Sequence, residues 1–146
     1  MAATSVTSLP KTRIPLGHIL TLGLLAVVAA ALANTVVRFI TVTLFSIDPA
    51  FGPLQLMTPI IFTAIGVLGG VIVFAILSRT VRQPVHVFRI VALVVLLVSL
   101  TPDVLLFLAD SRMIPGLTVP GVIALMVMHV VAWAITIRLL SPLEHF

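Results

Sequence analysis

Asp103 stands inside a long apolar run, "VSLTPDVLLFLAD" (Val98 to Asp110), where a carboxylate is costly. A charge at the centre of a bilayer costs at least about 2.5–3.5 kcal/mol even on lenient insertion scales. Asp103 must therefore be paired or neutral, and must face other helices. Three further polar residues are expected at comparable depth: Asn34, Arg38 and His129. Arg38 is the first candidate partner for Asp103, having opposite charge and lying in the same half of the membrane. His129 is the second, reached through a water. Asn34 and Arg38 are four residues apart and share a helix face, as do His129 and Trp133. The four residues form an expected buried polar cluster, a candidate ligand or proton site. An intramembrane carboxylate beside an arginine and a histidine can exchange a proton or hold an anion. Asp103 and His129 could also act as an acid/base pair, with Asn34 and Arg38 polarising an oxygen. The plainer alternative is structural: the cluster fixes helix register and Arg38 snorkels to the interface. No residue is assigned a catalytic role. No metal site is expected, because one histidine and one aspartate do not make three ligands and no HExxH spacing occurs. With no cysteine, thiolate ligation, disulfides and thiol catalysis are excluded.

The elements that must position these residues follow from composition. The chain has 146 residues, 61% hydrophobic and 8% charged, with a mean hydropathy of +1.36. A soluble domain is nearer one quarter charged, so the class is integral membrane protein. Four apolar runs of spanning length occur, at about 16–37 (with possible continuation to Phe45), 56–77, 87–108 and 118–140. An open strand cannot satisfy its backbone in lipid, so all four are expected to be helices. The links "SIDPAFGPLQ", "SRTVRQP" and "ADSRMIPGL" are short. Short links make neighbours antiparallel, and the fold class is an all-α, up-down-up-down four-helix bundle. Residues 16–140 form one transmembrane domain between an N-terminal segment, 1–15, and a tail, 141–146. Lys11, Arg13, Arg79, Arg82, Arg89 and Arg138 all fall on one side of that topology. The positive-inside rule then places both termini in the cytoplasm, with the chain multi-pass in the membrane. Asp103 lies about 7 Å beyond the centre of span three, toward the outside. The net charge of +4 comes from scattered loop arginines and implies no nucleic-acid surface. The expected partners are the bilayer and, with few faces hidden by four spans, a second copy or a larger membrane complex. No cofactor is expected.

Small residues mark candidate helix contacts. Gly66 and Gly70 stand in GxxxG spacing with Gly69 beside them, and Ala29 and Ala33 repeat the interval in span one. Close backbone approach is how helices gain packing energy in lipid. The contact is expected inside the bundle, with a dimer interface as the alternative. Pro59 and Pro120 open spans two and four, where a missing N–H is harmless. Pro102, deep in span three, frees the carbonyl of Val98 and predicts a bend. Ala31-x-Ala33 resembles a signal-peptidase site before Asn34, but the apolar run is long enough to be a retained span. A shift of 69 residues lays Arg13 on Arg82, Pro15 on Pro84 and Asn34 on Asp103. It suggests two hairpins related by an axis along the membrane normal, with Asn34 and Asp103 meeting near it.

The segments "LANTVVRFI", "VLGGVIVFAILSR", "FRIVALVVLLVSLTPDVLLF" and "ALMVMHVVAWAI" resemble a family of small bacterial four-span membrane proteins with no assigned function. The resemblance covers most of the chain. It implies the four-helix architecture and suggests that Asn34, Arg38, Asp103 and His129 are shared family features; it implies no activity. Fluoride channels and small multidrug exporters are also four-span proteins of this size, but span one lacks the buried glutamate of the latter. The reading that results is a structural or accessory membrane component. The alternatives are a small oligomeric proton-linked transporter or channel and, last, a membrane enzyme acting on a lipid-soluble substrate.

Overall fold

The computed structural model describes residues 14–108 and 114–145. Four long helices account for most of them: α1 (Leu16–Phe45), α2 (Met57–Thr80), α3 (Pro84–Leu108) and α4 (Val119–Leu140). Two short 3-10 turns, Gly52–Leu54 and Ser141–His145, follow α1 and α4. No strand occurs among the described residues.

Local chemistry sets the helix ends. Pro15, extended at φ −62° and ψ 131°, caps α1, and Pro84 opens α3; both rings pre-set φ where no donor is needed. Thr118 caps α4, its hydroxyl accepting from the Gly121 N–H at 3.3 Å. α1 stops where Ser46 turns left-handed, at φ 47°. At 30 residues α1 is about 45 Å long, enough to cross a whole bilayer with its headgroup layers. It passes unbroken through the Ala31-x-Ala33 segment. α3 is helical through Pro102, but the Thr101 and Ser99 hydroxyls bond the carbonyls of Leu97 and Leu96, not that of Val98.

The helices pack as a four-helix bundle. α1 packs on α4 and α2, and α3 packs on the same two helices. α2 and α4 touch across one diagonal; α1 and α3 occupy the other and form no comparable interface. One core cluster gathers Ala26, Ala30, Val67, Val71, Phe74, Phe88 and Leu140. Within it the Phe74 and Phe88 rings meet edge to face, centroids 5.1 Å apart. Leu143, in the turn after α4, is buried in that core. Part of the expected cytoplasmic tail is thus packed against the bundle, and the Arg89 Nε donates to the Ser141 hydroxyl at 3.3 Å beside it.

The outward faces are as apolar as the core. Leu24, Phe62 and Val98 are 64%, 71% and 65% exposed, and all four helices are long and apolar enough to cross a membrane. Such a surface would drive aggregation in water but costs nothing against lipid tails. The chain is an integral, multi-pass membrane protein.

The small residues are used differently from the expected pattern. The close approach of α1 and α2 is at Gly23, where a Cβ would lie 2.6 Å from Val71 Cγ1. Gly66 and Gly69 face open space, and at Gly70 an added Cβ would meet only ordinary contacts with Thr136 and Phe88. Ala29 and Ala33 are half-buried, while Ala26 and Ala30 beside them are fully buried. The bundle therefore does not close over the GxxxG face. The stripe of α2 that packs inward carries Val67, Val71, Phe74 and Ser78, and Gly66 and Gly69 lie off it.

At the other end, the α1–α2 loop folds back over the bundle. Phe51, 1% exposed, sits against Gly121 and Gly116 and forms a second cluster with Ile47, Leu54, Ala124 and Met128. Gly116 has φ +72°, and a Cβ there would lie 2.8 Å from the Phe51 backbone nitrogen. Glycine is required at that position on both counts.

Candidate functional site

Three helices and one loop place the four predicted polar residues, and they fall into separate contacts. Asp103 is buried on α3, in the turn that follows Pro102. Its Oδ2 lies 3.0 Å from Nδ1 of His129 on α4. The same Nδ1 lies 2.9 Å from the carbonyl of Leu125, one turn earlier in α4. An Nδ1–H is directed at that carbonyl, and if the ring is protonated its contact with the carboxylate is an ion pair. Oδ2 has no well-aligned hydrogen-bond donor among the described residues, so the interaction is one of proximity and charge. The His129 side chain is 39% exposed, against 7% for Asp103. The pair is closed on the aspartate side and open on the imidazole side. One turn deeper on the same face of α4, the buried Trp133 Nε1 has no protein acceptor among the described residues.

Asn34 is 2% exposed at the heart of the bundle. Its Nδ2 donates to the Thr63 hydroxyl on α2 at 2.8 Å, and its Oδ1 has no donor among the described residues. Arg38, one turn further along α1, turns to the α1–α2 loop, where its Nε donates to the Leu54 carbonyl at 2.7 Å.

This arrangement corrects the expected pairing of Asp103 with Arg38. The two residues stand on diagonal helices, with the α2–α4 contact between. Arg38 also has a nearer acceptor in the loop it helps to fold. The expected water between Asp103 and His129 is replaced by a direct 3.0 Å contact. Nor do Asn34 and Asp103 bond one another among the described residues. Each instead engages the second helix of its own hairpin, Asn34 through α2 and Asp103 through α4.

Two participants were not singled out from the sequence. Thr63 carried a weak signal, a lone hydroxyl one turn after Pro59 in an otherwise apolar stretch. Leu54 carried none, because its contribution is a backbone carbonyl. The hydroxyls of Thr35, Thr41 and Thr136 bond carbonyls one turn back in their own helices. They present little polarity to lipid. Among the described residues no group of three or more histidine or acidic side chains is placed to hold a metal ion.

A small cleft opens at the loop end of α1, with a volume of about 190 Å³. Arg38 and Asp48 line it together with Val42, Ile47, Phe51 and Leu56. Neither Asp103 nor His129 belongs to its lining.

The chain belongs to a family of unknown function (DUF6069), whose pattern matches residues 15–143. That match takes in all four helices and every predicted polar residue. No curated protein and no solved structure matches the chain.

Proposed function

We propose that this family member is a non-enzymatic membrane component, a helical module that packs within the bilayer or within a larger membrane complex. Its buried polar residues act as register pins between helices. The observation that carries this reading is the separation of the cluster. Asn34 is engaged by Thr63, Asp103 by His129 and Arg38 by Leu54, each across a different helix or loop contact. A catalytic or transport site would gather such groups about one cavity. The positions of Arg79, Arg82, Arg89 and Arg138, at one end of the bundle by the helix bounds, support an inner-membrane orientation with both termini cytoplasmic.

The decisive test compares stability with flux. Asp103→Asn and His129→Ala are made in the full chain, which is then reconstituted in vesicles carrying a pH-sensitive dye. The expected outcome is altered thermal stability in detergent and proton leakage equal to that of empty vesicles for all proteins. Proton flux above background that is lost in Asp103→Asn would overturn the proposal.

A second reading, a small oligomeric proton-linked transporter, is favoured by one feature. The buried Asp103 carboxylate touches an imidazole that is 39% exposed. A carboxylate and an imidazole in that relation can relay a proton between the bundle interior and whatever faces α4.

A further inference from the structure

Arg38 and Asp48 line the same cleft, yet they do not pair with one another. Asp48 uses Oδ1 to accept the Ala50 N–H at 2.7 Å, a local turn that fixes its carboxylate at the rim. Arg38 uses only Nε, on Leu54, and its two Nη groups have no protein acceptor among the described residues. Two opposite charges held in one apolar-walled cleft, and not spent on each other, match a ligand that carries both signs.

The depth of the cleft points the same way. Arg38 lies seven residues before the end of α1, so about 10 Å below it. With α1 ending at the outer edge of headgroup layers that add about 5–7 Å to each side of the hydrocarbon, the Arg38 backbone lies about 3–5 Å inside the hydrocarbon, from which a guanidinium snorkels to the phosphate level. Asp48 lies in the loop beyond the helix end, and is exposed. The positive group is thus the deeper and the negative group the shallower. In an aminoalkyl phospholipid the phosphate is likewise the deeper charge and the ammonium the outer one. Val42, Ile47 and Leu56 supply apolar wall for the glycerol and the first methylenes. At about 190 Å³ the cleft is smaller than the roughly 300–1,000 Å³ of drug-sized sites, and suits a headgroup, not a cofactor.

We infer that the Arg38–Asp48 cleft is a binding site for the headgroup of a zwitterionic, primary-amine phospholipid, phosphatidylethanolamine in chemistry. The Nη groups of Arg38 donate to the phosphate, and Asp48 accepts from the ammonium. A guanidinium binds phosphate through two parallel donors. The ammonium must bring N–H donors to Asp48, which a quaternary choline lacks and a glycerol headgroup replaces with neutral hydroxyls.

The test is native mass spectrometry of the full chain released from detergent, with phosphatidylethanolamine, phosphatidylcholine or phosphatidylglycerol of identical acyl chains. Phosphatidylethanolamine is expected to be retained about tenfold more strongly than the other two, the worth of one charge-assisted hydrogen bond. Asp48→Asn keeps the oxygen that accepts from Ala50 and so preserves the turn; it should reduce that preference to about twofold. Arg38→Gln should weaken retention of all three lipids, and a melting curve checks that it folds. Equal retention of the three lipids by the unsubstituted chain would sink the inference, as would an undiminished preference in Asp48→Asn. Competition by free glycerophosphoethanolamine as effective as that by the lipid would overturn the lipid source and mark a site for a soluble amino-phosphate.

Discussion

The Nδ1 atom of His129 lies 3.0 Å from Asp103 Oδ2, and this contact joins α3 to α4 in the half of the bundle nearer the α3–α4 link. Its worth can be measured by a double-mutant cycle. His129→Ala leaves the buried Asp103 side chain without its imidazole partner and should destabilise the fold, whereas Asp103→Asn removes any charge along with its cost and should be far milder. The coupling energy from the cycle with Asp103→Ala is expected to be about 1–2 kcal/mol, at the upper end for interhelical polar contacts in membranes. Equilibrium unfolding in mixed micelles provides the measurement. A coupling of zero would mean that the pair is adventitious.

The glycines separate by what surrounds them. At Gly23 an added methyl would meet Val71 Cγ1 at 2.6 Å and Cγ2 at 2.9 Å. Gly23→Ala should cost about 1–3 kcal/mol through overpacking, and Val71→Ala should restore much of it by making room. Gly66→Ala and Gly69→Ala meet nothing within 4 Å among the described residues. They should be neutral, or stabilising by up to about 1 kcal/mol from helix propensity. Crosslinking in native membranes adds a second readout: loss of a dimer band in Gly66→Ala would identify that face as an interface between two copies.

Much of this architecture is readable in the residues, and the exceptions have physical causes. The helices could be found because a bilayer demands long apolar runs, and "LGHILTLGLLAVV" or "PIIFTAIGVLGGVIVF" can satisfy their backbones only as helices. The burial of Asp103 and Asn34 followed from the same solvent argument. Partnership did not, because sequence supplies depth along each helix but not the order of helices around the bundle. Arg38 and Asp103 look well matched in depth and charge, and stand on opposite corners. The GxxxG spacing left its face open for a related reason. In a chain that is apolar all round, spacing alone does not say which face of α2 turns inward, and Val67 and Val71 do so in place of Gly66. Phe51 was hidden inside a segment whose prolines and glycine mark it as a turn, although that turn carries a large side chain into the core.

Phe51 and Gly116 make the loop end of the bundle a designed closure. Replacing Phe51 with alanine empties a fully buried site and should cost about 3–5 kcal/mol, less whatever the loop recovers by collapse. Gly116→Ala faces a backbone atom at 2.8 Å and a φ of +72°, so neither neighbour nor chain yields cheaply. It should cost about 1–3 kcal/mol. Both substitutions free the loop that presents Asp48, so both should raise proteolysis within residues 46–56 while leaving the α2–α3 link at 81–83 unaffected. Limited proteolysis followed by peptide mapping tests the prediction; cleavage spread evenly over all links would count against it.

Asn34 and Thr63 offer the matching test in the first hairpin. The Nδ2–Oγ1 bond is 2.8 Å long, but Asn34 Oδ1 has no donor among the described residues, so the amide is only half satisfied. Removing Thr63's hydroxyl as Thr63→Val leaves the whole amide buried without a partner. That should cost about 1–2 kcal/mol, since an orphaned buried group loses more than the bond itself was worth. Asn34→Leu discards the polar group entirely. It should be close to neutral wherever the larger side chain fits, and more stable than Thr63→Val. The double variant Asn34→Leu with Thr63→Val should then match Asn34→Leu alone, because no amide remains to be stranded. Thermal unfolding of the three variants in one detergent gives the ranking. If Thr63→Val proves as stable as the unsubstituted chain, Asn34 has found another partner, and the bond is not what holds α1 in register against α2.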